Sequence, residues 1–246
     1  MLSKFIKPGD RVELQTMDQI NEYKEDDKKI YYSKINEIIS DNQVEINMPL
    51  EKTRLLLLSV GEEYNFVIFT DTGLFQCFTI VEERYKTNNL FLLRLKLTSN
   101  LRKYQRREYY RFGCAMEMQS RIISEAELRS INADDQDKLK KDLPLKSSVI
   151  VDISGGGIRF VSEEAYPAES KIYINYDLIM KGERKNYELI GKILSASEMD
   201  NRPGTYEHRV KYINIDSDTR EEIIKYIFEE ERKIRQKERS IKEEQS

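Results

Sequence analysis

The sequence predicts an all-β fold made of two antiparallel β-barrel domains followed by one C-terminal α-helix. Short runs rich in β-branched and aromatic residues recur through residues 1–98 and again through 147–215, with Asp, Asn and Gly between them. A basic stretch and a charged, helix-prone stretch separate these two groups of runs. From residue 216 onward the apolar residues recur at helical spacing, which predicts the final helix.

The first group of runs predicts an antiparallel barrel or sandwich over residues 1–98, and a split-barrel-like domain is the form expected. Its strands are expected at RVELQTM (11–17), KIYYSKINEII (29–39), QVEINMPL (43–50), EYNFVIFT (63–70), LFQCFTIVEERYK (74–86) and LFLLRLKLT (90–98). Turn residues such as Asp71-Thr72-Gly73 stand between neighbouring runs. The run MPLEKTRLLLL (48–58) fits a helix and a strand equally well.

The second group of runs predicts another barrel within residues 113–246. Its strands are expected at 115–120, 147–153, 158–163, 171–180, 186–198 and 205–215. Residues 121–146 (RIISEAELRSINADDQDKLKKDLPLK) are highly charged and lack β signals, which predicts a helical insertion on the surface.

The last element is predicted to be a helix that begins at about residue 218. Asp218 can cap its start, and Glu221 can complete a capping box. An apolar stripe that should dock on the second barrel is formed by Ile223, Ile224, Ile227 and Phe228. Acids and bases balance in the tail 229–246, which predicts a solvated end, with a partner surface as the alternative.

Composition and motif content argue against several classes of protein. The 246 residues carry 41 Lys and Arg against 44 Asp and Glu, and the longest aliphatic run, at 55–60, is far shorter than the roughly 20 residues of a membrane span. Cys77 and Cys114 match no metal or redox spacing, so a cytoplasmic protein with reduced thiols is expected. His208 stands alone in a strand-like stretch, which favours a structural role. Because HExxH, GxSxG and P-loop motifs are absent from the sequence, no enzymatic activity and no metal or cofactor are expected.

A basic stretch, RKYQRREYYRF (102–112), lies within a predicted linker, residues 99–112. Five of its eleven residues are Arg or Lys although the whole chain has a net charge of −3. Arg107 and Arg111 are four positions apart and share a face in a strand or on a helix, with Arg106 adjoining. Paired guanidinium donors match phosphate oxygens and the O6/N7 edge of guanine. The alternative is that these cations pair with nearby acids or remain solvated.

A second motif occurs in SSVIVDISGGGIRF (147–160). Asp152 and Ser154 precede Gly155, Gly156 and Gly157, which permit positive φ and a close approach of backbone. A bare backbone beside a carboxylate and a hydroxyl makes a ligand platform, in which Asp152 can accept hydrogen bonds from guanine. The alternative is a tight hairpin with the aspartate as an Asx-type turn former.

Together the two motifs resemble those of the PilZ domain family. The family pattern RxxxR followed by [DN]xSxxG stands here as Arg107-x-x-x-Arg111 and Asp152-x-Ser154-x-x-Gly157. The stretch 208–232 also resembles the end of such a domain, and the preceding β domain resembles that of the YcgR-type flagellar brake subfamily. The separation of 41 positions between Arg111 and Asp152 is longer than expected for the family, and the charged insertion accounts for the excess.

The resemblance implies a PilZ six-stranded barrel and the ligand cyclic di-GMP, a second messenger with two guanines and two phosphates. Arg107 and Arg111 would grip phosphate and guanine edges with help from Arg106, while Asp152 and Ser154 would contact guanine and nearby polar atoms. Gly155, Gly156 and Gly157 would let the ligand lie against the backbone. The resemblance further implies a cytoplasmic protein, recruited to the flagellar basal body, that slows motility by contacting the stator or rotor of the motor.

For signalling, residues 99–111 are expected to be mobile without ligand, because like charges repel and no apolar pattern fixes them. Wrapping them onto the second barrel would then set the angle between the two domains. The alternative function is a nucleic-acid-binding β-barrel protein that uses the same basic, aromatic stretch. Against it, the rest of the chain supplies no further cationic cluster for a long phosphate backbone, so no nucleic-acid partner is expected.

Overall fold

The computed structural model describes residues 2–16, 29–130 and 143–244, which form two compact units, Met1–Arg106 and Arg107–Ser246. The predicted fold class is confirmed, since both units are antiparallel β structures and a long helix follows the second one. Among the described residues, no helix is long and apolar enough to cross a membrane.

Among its described residues, the first unit contains a short 3-10 helix, Leu2–Lys4, and nine strands. They are β1 (Arg11–Thr16), β2 (Ile30–Ser40), β3 (Gln43–Asn47), β4 (Leu50–Glu51), β5 (Arg54–Leu55), β6 (Glu63–Thr70), β7 (Gly73–Thr87), β8 (Leu90–Leu97) and β9 (Arg102–Tyr104). Seven of them form one sheet in the order β6-β1-β2-β3-β8-β7-β9, and β6 also pairs with β7, so six strands form a closed ring of pairings. Strands β4 and β5 form a separate hairpin, which decides the ambiguous run 48–58 in favour of strands.

Alternating apolar side chains explain why these strands close around a core. Leu14, Ile46 and Leu95 are fully buried and belong to one hydrophobic cluster, while their neighbours along each strand are polar residues. Residue 17 of the first predicted run lies outside the described residues.

The predicted linker, residues 99–112, is more structured than the charge pattern indicated. Arg102–Tyr104 forms β9, which pairs with Gln76, Phe75 and Leu74 of β7. Residues 102–104 are therefore part of the first sheet, contrary to the expectation of a mobile segment. The pairing explains the difference, because three ladder positions on a neighbouring strand fix a short run that has no apolar pattern of its own.

The second unit is a closed six-stranded barrel with two helices. Its elements are β10 (Phe112–Ile122), α1 (Glu125–Ser130), β11 (Lys146–Ser154), β12 (Gly157–Ser162), β13 (Lys171–Met180), β14 (Glu183–Met199), β15 (Arg202–Ile213) and α2 (Ser217–Glu244). The strand order around the barrel is β10-β11-β12-β15-β14-β13.

Helix α2 covers the barrel core but differs from the prediction at both its cap and its stripe. The cap is Asp216 rather than Asp218, because its carboxylate accepts the backbone N–H of Thr219 at 2.8 Å. Ile223 and Ile227 are buried in the core as predicted, whereas Phe228 is 55% exposed. Tyr226 was not part of the predicted apolar stripe, but it also is buried in this cluster.

The flanks of the predicted insertion 121–146 belong to the barrel rather than to its surface. Residues 121 and 122 are part of β10, and residue 146 begins β11. Arg121 makes two hydrogen bonds with Glu127 of α1, and both side chains are buried in this ion pair. Ile123 is buried against Tyr173 and Ile190. Residues 131–142 of this prediction lie outside the described residues.

Candidate functional site

The hairpin between β11 and β12 is built by the second sequence motif. The hydroxyl of Ser154 donates to the carbonyl of Gly157 at 3.0 Å and accepts the backbone N–H of Gly156 at 3.4 Å. Ser154 is buried, so its hydroxyl is used within the turn. Of the two interpretations of this motif, the tight hairpin is present, but its turn former is the serine and not Asp152. We call Ser154–Gly157 the glycine hairpin.

Two of the three glycines are needed because an aromatic ring lies against them. A Cβ atom at Gly155 would stand 2.8 Å from Cδ1 of Tyr109 and 2.9 Å from two side-chain carbons of Ile224. A Cβ atom at Gly156 would stand 2.9 Å from Cδ2 of the same tyrosine ring. The backbone of Gly155 and Gly156, which was predicted to contact a ligand, is thus in contact with Tyr109 in this structure.

The third glycine is needed because two strands approach each other closely. A Cβ atom at Gly157 would stand 2.0 Å from the carbonyl oxygen of Val210 and 3.1 Å from Cα of Lys211, both on β15. Gly157 pairs with Lys211 in the ladder, so this contact belongs to the barrel wall itself.

A row of charged side chains crosses the outside of the barrel next to the glycine hairpin. Asp152 lies opposite Arg159, and Arg159 lies opposite Arg209, on the neighbouring strands β11, β12 and β15. The Nε of Arg159 donates to Asp152 at 2.6 Å, and its Nη1 donates to Glu207 at 2.7 Å. The hydrogen bond to Asp152 is the main cause that raises the pKa of Arg159. The carboxylate of Asp152 is therefore held in a fixed position beside cations.

Arg107 and Arg111 join this row and make it strongly cationic. The pKa of Arg111 is lowered, first by burial and next by the charge of Arg107; Arg209 and Arg159 lower it further, whereas Asp152 acts in the opposite direction. The charges of three guanidinium groups, those of Arg107, Arg159 and Arg209, and of one carboxylate thus act on Arg111. We call these four arginines the arginine cluster. Such a concentration of like charge favours binding of an anion.

Strand pairing explains how residues 41 positions apart meet. Strands β10 and β11 are antiparallel, with Phe112 opposite Ile153 and Gly113 opposite Asp152, so Arg111 directly precedes the paired end. The described flanks of the insertion, Ile122 and Lys146, stand at the other ends of the same two strands. At about 3.3 Å per residue, the length of β10 separates them from the arginine cluster by roughly 30 Å.

Arg106 is bound within the first unit. Its Nη1 donates to Glu13 at 3.0 Å, and its guanidinium lies 5.5 Å from the centre of the Phe69 ring. The boundary between the two units falls directly after it, whereas Arg107 and Arg111 belong to the second unit. The structure therefore places Arg111 near Asp152, keeps Arg107 in the same unit, and gives Arg106 partners elsewhere.

The lone histidine has a packing role, as its sequence context predicted. His208 is fully buried, its ring stacks on Phe160 with centroids 4.7 Å apart, and its Nε2 accepts the backbone N–H of Tyr166 at 3.1 Å. Burial lowers the pKa of His208 and so favours the neutral imidazole.

Sequence reasoning missed Arg159 and Arg209 as residues of this region. A signal for the first existed, because Ile158 and Phe160 are core residues and the residue between them must face outward. Arg209 alternates in the same way between His208 and Val210, but only the pairing of β12 with β15 brings it beside Arg159.

A closed six-stranded antiparallel barrel, with an RxxxR segment before its first strand and DxSxxG at its first hairpin, defines the PilZ class of domain. The family model described as PilZ domain matches residues 105–229, just over half of the chain, and the chain belongs to this family. The family model described as flagellar protein YcgR matches residues 7–97. Among curated proteins, none matches the chain significantly in sequence.

Several solved structures match this chain at low sequence identity, and the first of them shows the same fold. The Bacillus subtilis inhibitor of motility (MotI/DgrA) matches with a TM-score of 0.70 and 15% identity, over 92% of this chain and 98% of that chain. YcgR from Escherichia coli in complex with c-di-GMP gives a TM-score of 0.44 and 13% identity, over 95% of this chain and 88% of that chain. The K. pneumonia MrkH–c-di-GMP complex gives 0.40 and 12%, over 93% and 90%.

Proposed function

We propose that the protein is a receptor for cyclic di-GMP that binds its ligand at the arginine cluster and the glycine hairpin, without turning it over. The observation that carries the proposal is the strand register that sets Asp152, Arg159 and Arg209 side by side next to the glycine hairpin, with Arg111 close enough for their charges to act on it. Membership of the PilZ family supports it, since solved relatives of this fold are complexes with c-di-GMP.

Each part of the patch matches one chemical feature of the ligand. The guanidinium forks of Arg107 and Arg111 can donate in pairs to phosphate oxygens and to the O6/N7 edge of guanine. Asp152 can accept from guanine N1–H and N2–H₂, since only part of its acceptor capacity is used by Arg159. Ser154, by holding the turn, fixes the glycine hairpin directly after Asp152. Binding needs no nucleophile or acid–base pair, so hydrolysis of the ligand should be undetectable.

Calorimetry with cyclic di-GMP tests the site. The double variant Arg107→Ala/Arg111→Ala should bind at least about a hundredfold more weakly, a loss of about 2.7 kcal/mol. A matched control is Arg184→Ala/Arg202→Ala, which removes the same charge from exposed positions of the same barrel and should bind like the parent. Full affinity in the first double variant would exclude these arginines as the ligand site.

Salt dependence separates this proposal from the nucleic-acid alternative. Binding of a small dianion should weaken only moderately with ionic strength, because few counterions are released. A protein that tracks a polynucleotide backbone should show a steep slope for a DNA or RNA oligomer and little response to cyclic di-GMP. Tight oligomer binding with that slope would favour the alternative.

As the consequence of ligand binding, we propose that the two units are reoriented and that flagellar motility is thereby regulated. The unit boundary lies between Arg106 and Arg107, so a ligand that binds both side chains would need Arg106 to leave Glu13 and would restrain the connection. A motility role is supported by the YcgR family model and by the name of the MotI relative. The partner would be a stator or rotor protein of the motor, with recruitment of a cytoplasmic receptor to the basal body.

Solution scattering with and without cyclic di-GMP tests the reorientation. The radius of gyration and the distance distribution should change in the parent and stay unchanged in Arg107→Ala/Arg111→Ala. Swimming in soft agar should slow when the parent is expressed, but not when the double variant is. Identical scattering curves at saturating ligand would reject the reorientation while leaving binding intact.

A further inference from the structure

The tyrosine between the two motif arginines is seated in a slot of the barrel. Tyr109 stands two residues after Arg107 and two before Arg111, and its ring contacts the backbone of Gly155 and Gly156. An added methyl group at either glycine would come within 3 Å of the ring, which leaves no space between them. The ring therefore rests directly on the glycine hairpin.

Helix α2 holds the same ring from another direction. Nη1 of Arg220 donates a hydrogen bond to the hydroxyl of Tyr109, and the guanidinium carbon lies 5.4 Å from the ring centre. The Nε of Arg220 is buried and has no hydrogen-bond partner among the residues that the structure describes. Ile224, one turn further along α2, contacts the position where a Cβ of Gly155 would stand. Tyr109 belongs to residues 107–111, which we call the arginine segment. It is thus the point where the arginine segment, the glycine hairpin and α2 meet.

We propose that Tyr109 is the positioning residue of the site: by seating on Gly155–Gly156 under Arg220, it holds Arg107 and Arg111 beside Asp152 before a ligand arrives. This inference rests on the proposed function for its effect on affinity. A segment that is already ordered loses less conformational freedom on binding, which strengthens binding without adding a contact to the ligand. The paired glycines are then explained by the ring that they accommodate.

The neighbouring tyrosine has no comparable seat. Tyr110 is 53% exposed and donates a hydrogen bond to Glu231 of α2 at 3.1 Å. Burial, followed by this hydrogen bond, raises the pKa of Tyr110. Because it belongs to the same segment and has the same side chain, Tyr110→Ala is a matched control for Tyr109→Ala.

Gly156→Ala is the sharpest perturbation that the structure offers. Apart from its chain neighbours, the three nearest described heavy atoms that the added methyl group would meet belong to the ring of Tyr109, and the φ of Gly156 lies outside the left-handed region. The backbone at this position can adopt the same conformation with alanine. The variant therefore displaces the Tyr109 ring by a steric clash and changes no residue of the arginine segment.

The experiment combines amide hydrogen exchange over residues 107–111, without ligand, with calorimetry of cyclic di-GMP binding. Exchange should be faster by about tenfold or more in Tyr109→Ala and in Gly156→Ala, and affinity should fall by about tenfold to a hundredfold in both. The double variant Tyr109→Ala/Gly156→Ala should show the same exchange rate and affinity as Tyr109→Ala, because the added methyl group no longer has a ring to displace. Tyr109→Leu provides a smaller cut if Tyr109→Ala does not fold, and Tyr110→Ala should match the parent in both measurements.

The outcomes separate this inference from the proposed function. Unchanged exchange in Gly156→Ala and Tyr109→Leu would overturn the seating of the segment. Lost affinity with unchanged exchange would also overturn it, since Tyr109 would then contact the ligand itself. If the parent fails to bind cyclic di-GMP but the exchange pattern holds, the proposed function fails and the seating role of Tyr109 stands.

Discussion

Gly157→Ala should destabilise the second barrel even when no ligand is present. The new Cβ would stand 2.0 Å from the carbonyl oxygen of Val210, whereas carbon and oxygen atoms normally stay about 3.3 Å apart or more. The obstacle is the backbone of β15, in the ladder where Gly157 pairs with Lys211, so relief requires the two strands to separate by roughly 1 Å. Overpacking against a wall that cannot rotate away should cost about 3 kcal/mol.

Urea unfolding followed by far-ultraviolet circular dichroism measures this cost. With a slope of about 2 kcal/mol per molar urea, the midpoint of the second unit should fall by about 1.5 M. The control is Gly113→Ala in β10, where an added Cβ has no described atom within 4 Å and the φ is not left-handed, so its midpoint should change little. An unchanged midpoint in Gly157→Ala, together with lost ligand affinity, would refute this reasoning and assign the glycine to the ligand.

Three further predictions concern stability and reactivity. Asp216→Ala should cost about 1 kcal/mol of helix stability by removing the α2 cap. Hydrogen bonding to Thr219 lowers the pKa of Asp216 below its ordinary 3.8, so the stability from the cap should be present above pH 3.8 and be lost as the pH falls through the lower pKa of the folded protein. A series of unfolding curves at different pH values checks this. Glu127→Ala should cost about 3–5 kcal/mol in urea unfolding, since it removes the carboxylate that is paired with the buried Arg121 cation, and a cost below 1 kcal/mol would contradict the importance of this pair. Burial raises the pKa of Cys77 to about 12 and that of Cys114 to about 11. Both thiols should therefore react slowly with a disulfide reagent at pH 8 in the folded protein and rapidly in urea. Fast labelling of the folded protein would argue against their burial.

Strands with a strong local pattern were predictable almost to the residue. The runs 63–70 and 171–180 coincide with β6 and β13, because alternating apolar side chains and flanking turn residues specify them locally. Strand β9 was not predictable, since its three residues are fixed only by pairing with β7. The cap of α2 was misplaced by two residues for a related reason: Asp216 and Asp218 are both suitable caps, and the end of β15 decides where the helix can start.

Half of the candidate site was visible in the sequence and half was not. The motif residues Arg107, Arg111 and Asp152 were chosen by residue type and spacing, and the charges of the first and the last both act on Arg111 in the structure. Arg159 and Arg209 carry no motif of their own and enter the cluster only through strand register. Arg106 matched the motif equally well, but Glu13 and Phe69 bind it in the first unit.

The sequence by itself determined the all-β class, the two groups of strands, the final helix and the motif that marks the family, because each depends on residue type and local periodicity. Only the tertiary structure decided what the three glycines accommodate, which arginines share a patch and what holds Tyr109. Those features depend on which strands become neighbours and on how closely they approach. Contacts between residues that are tens of positions apart have no local signature, so they appear only once the barrel has closed.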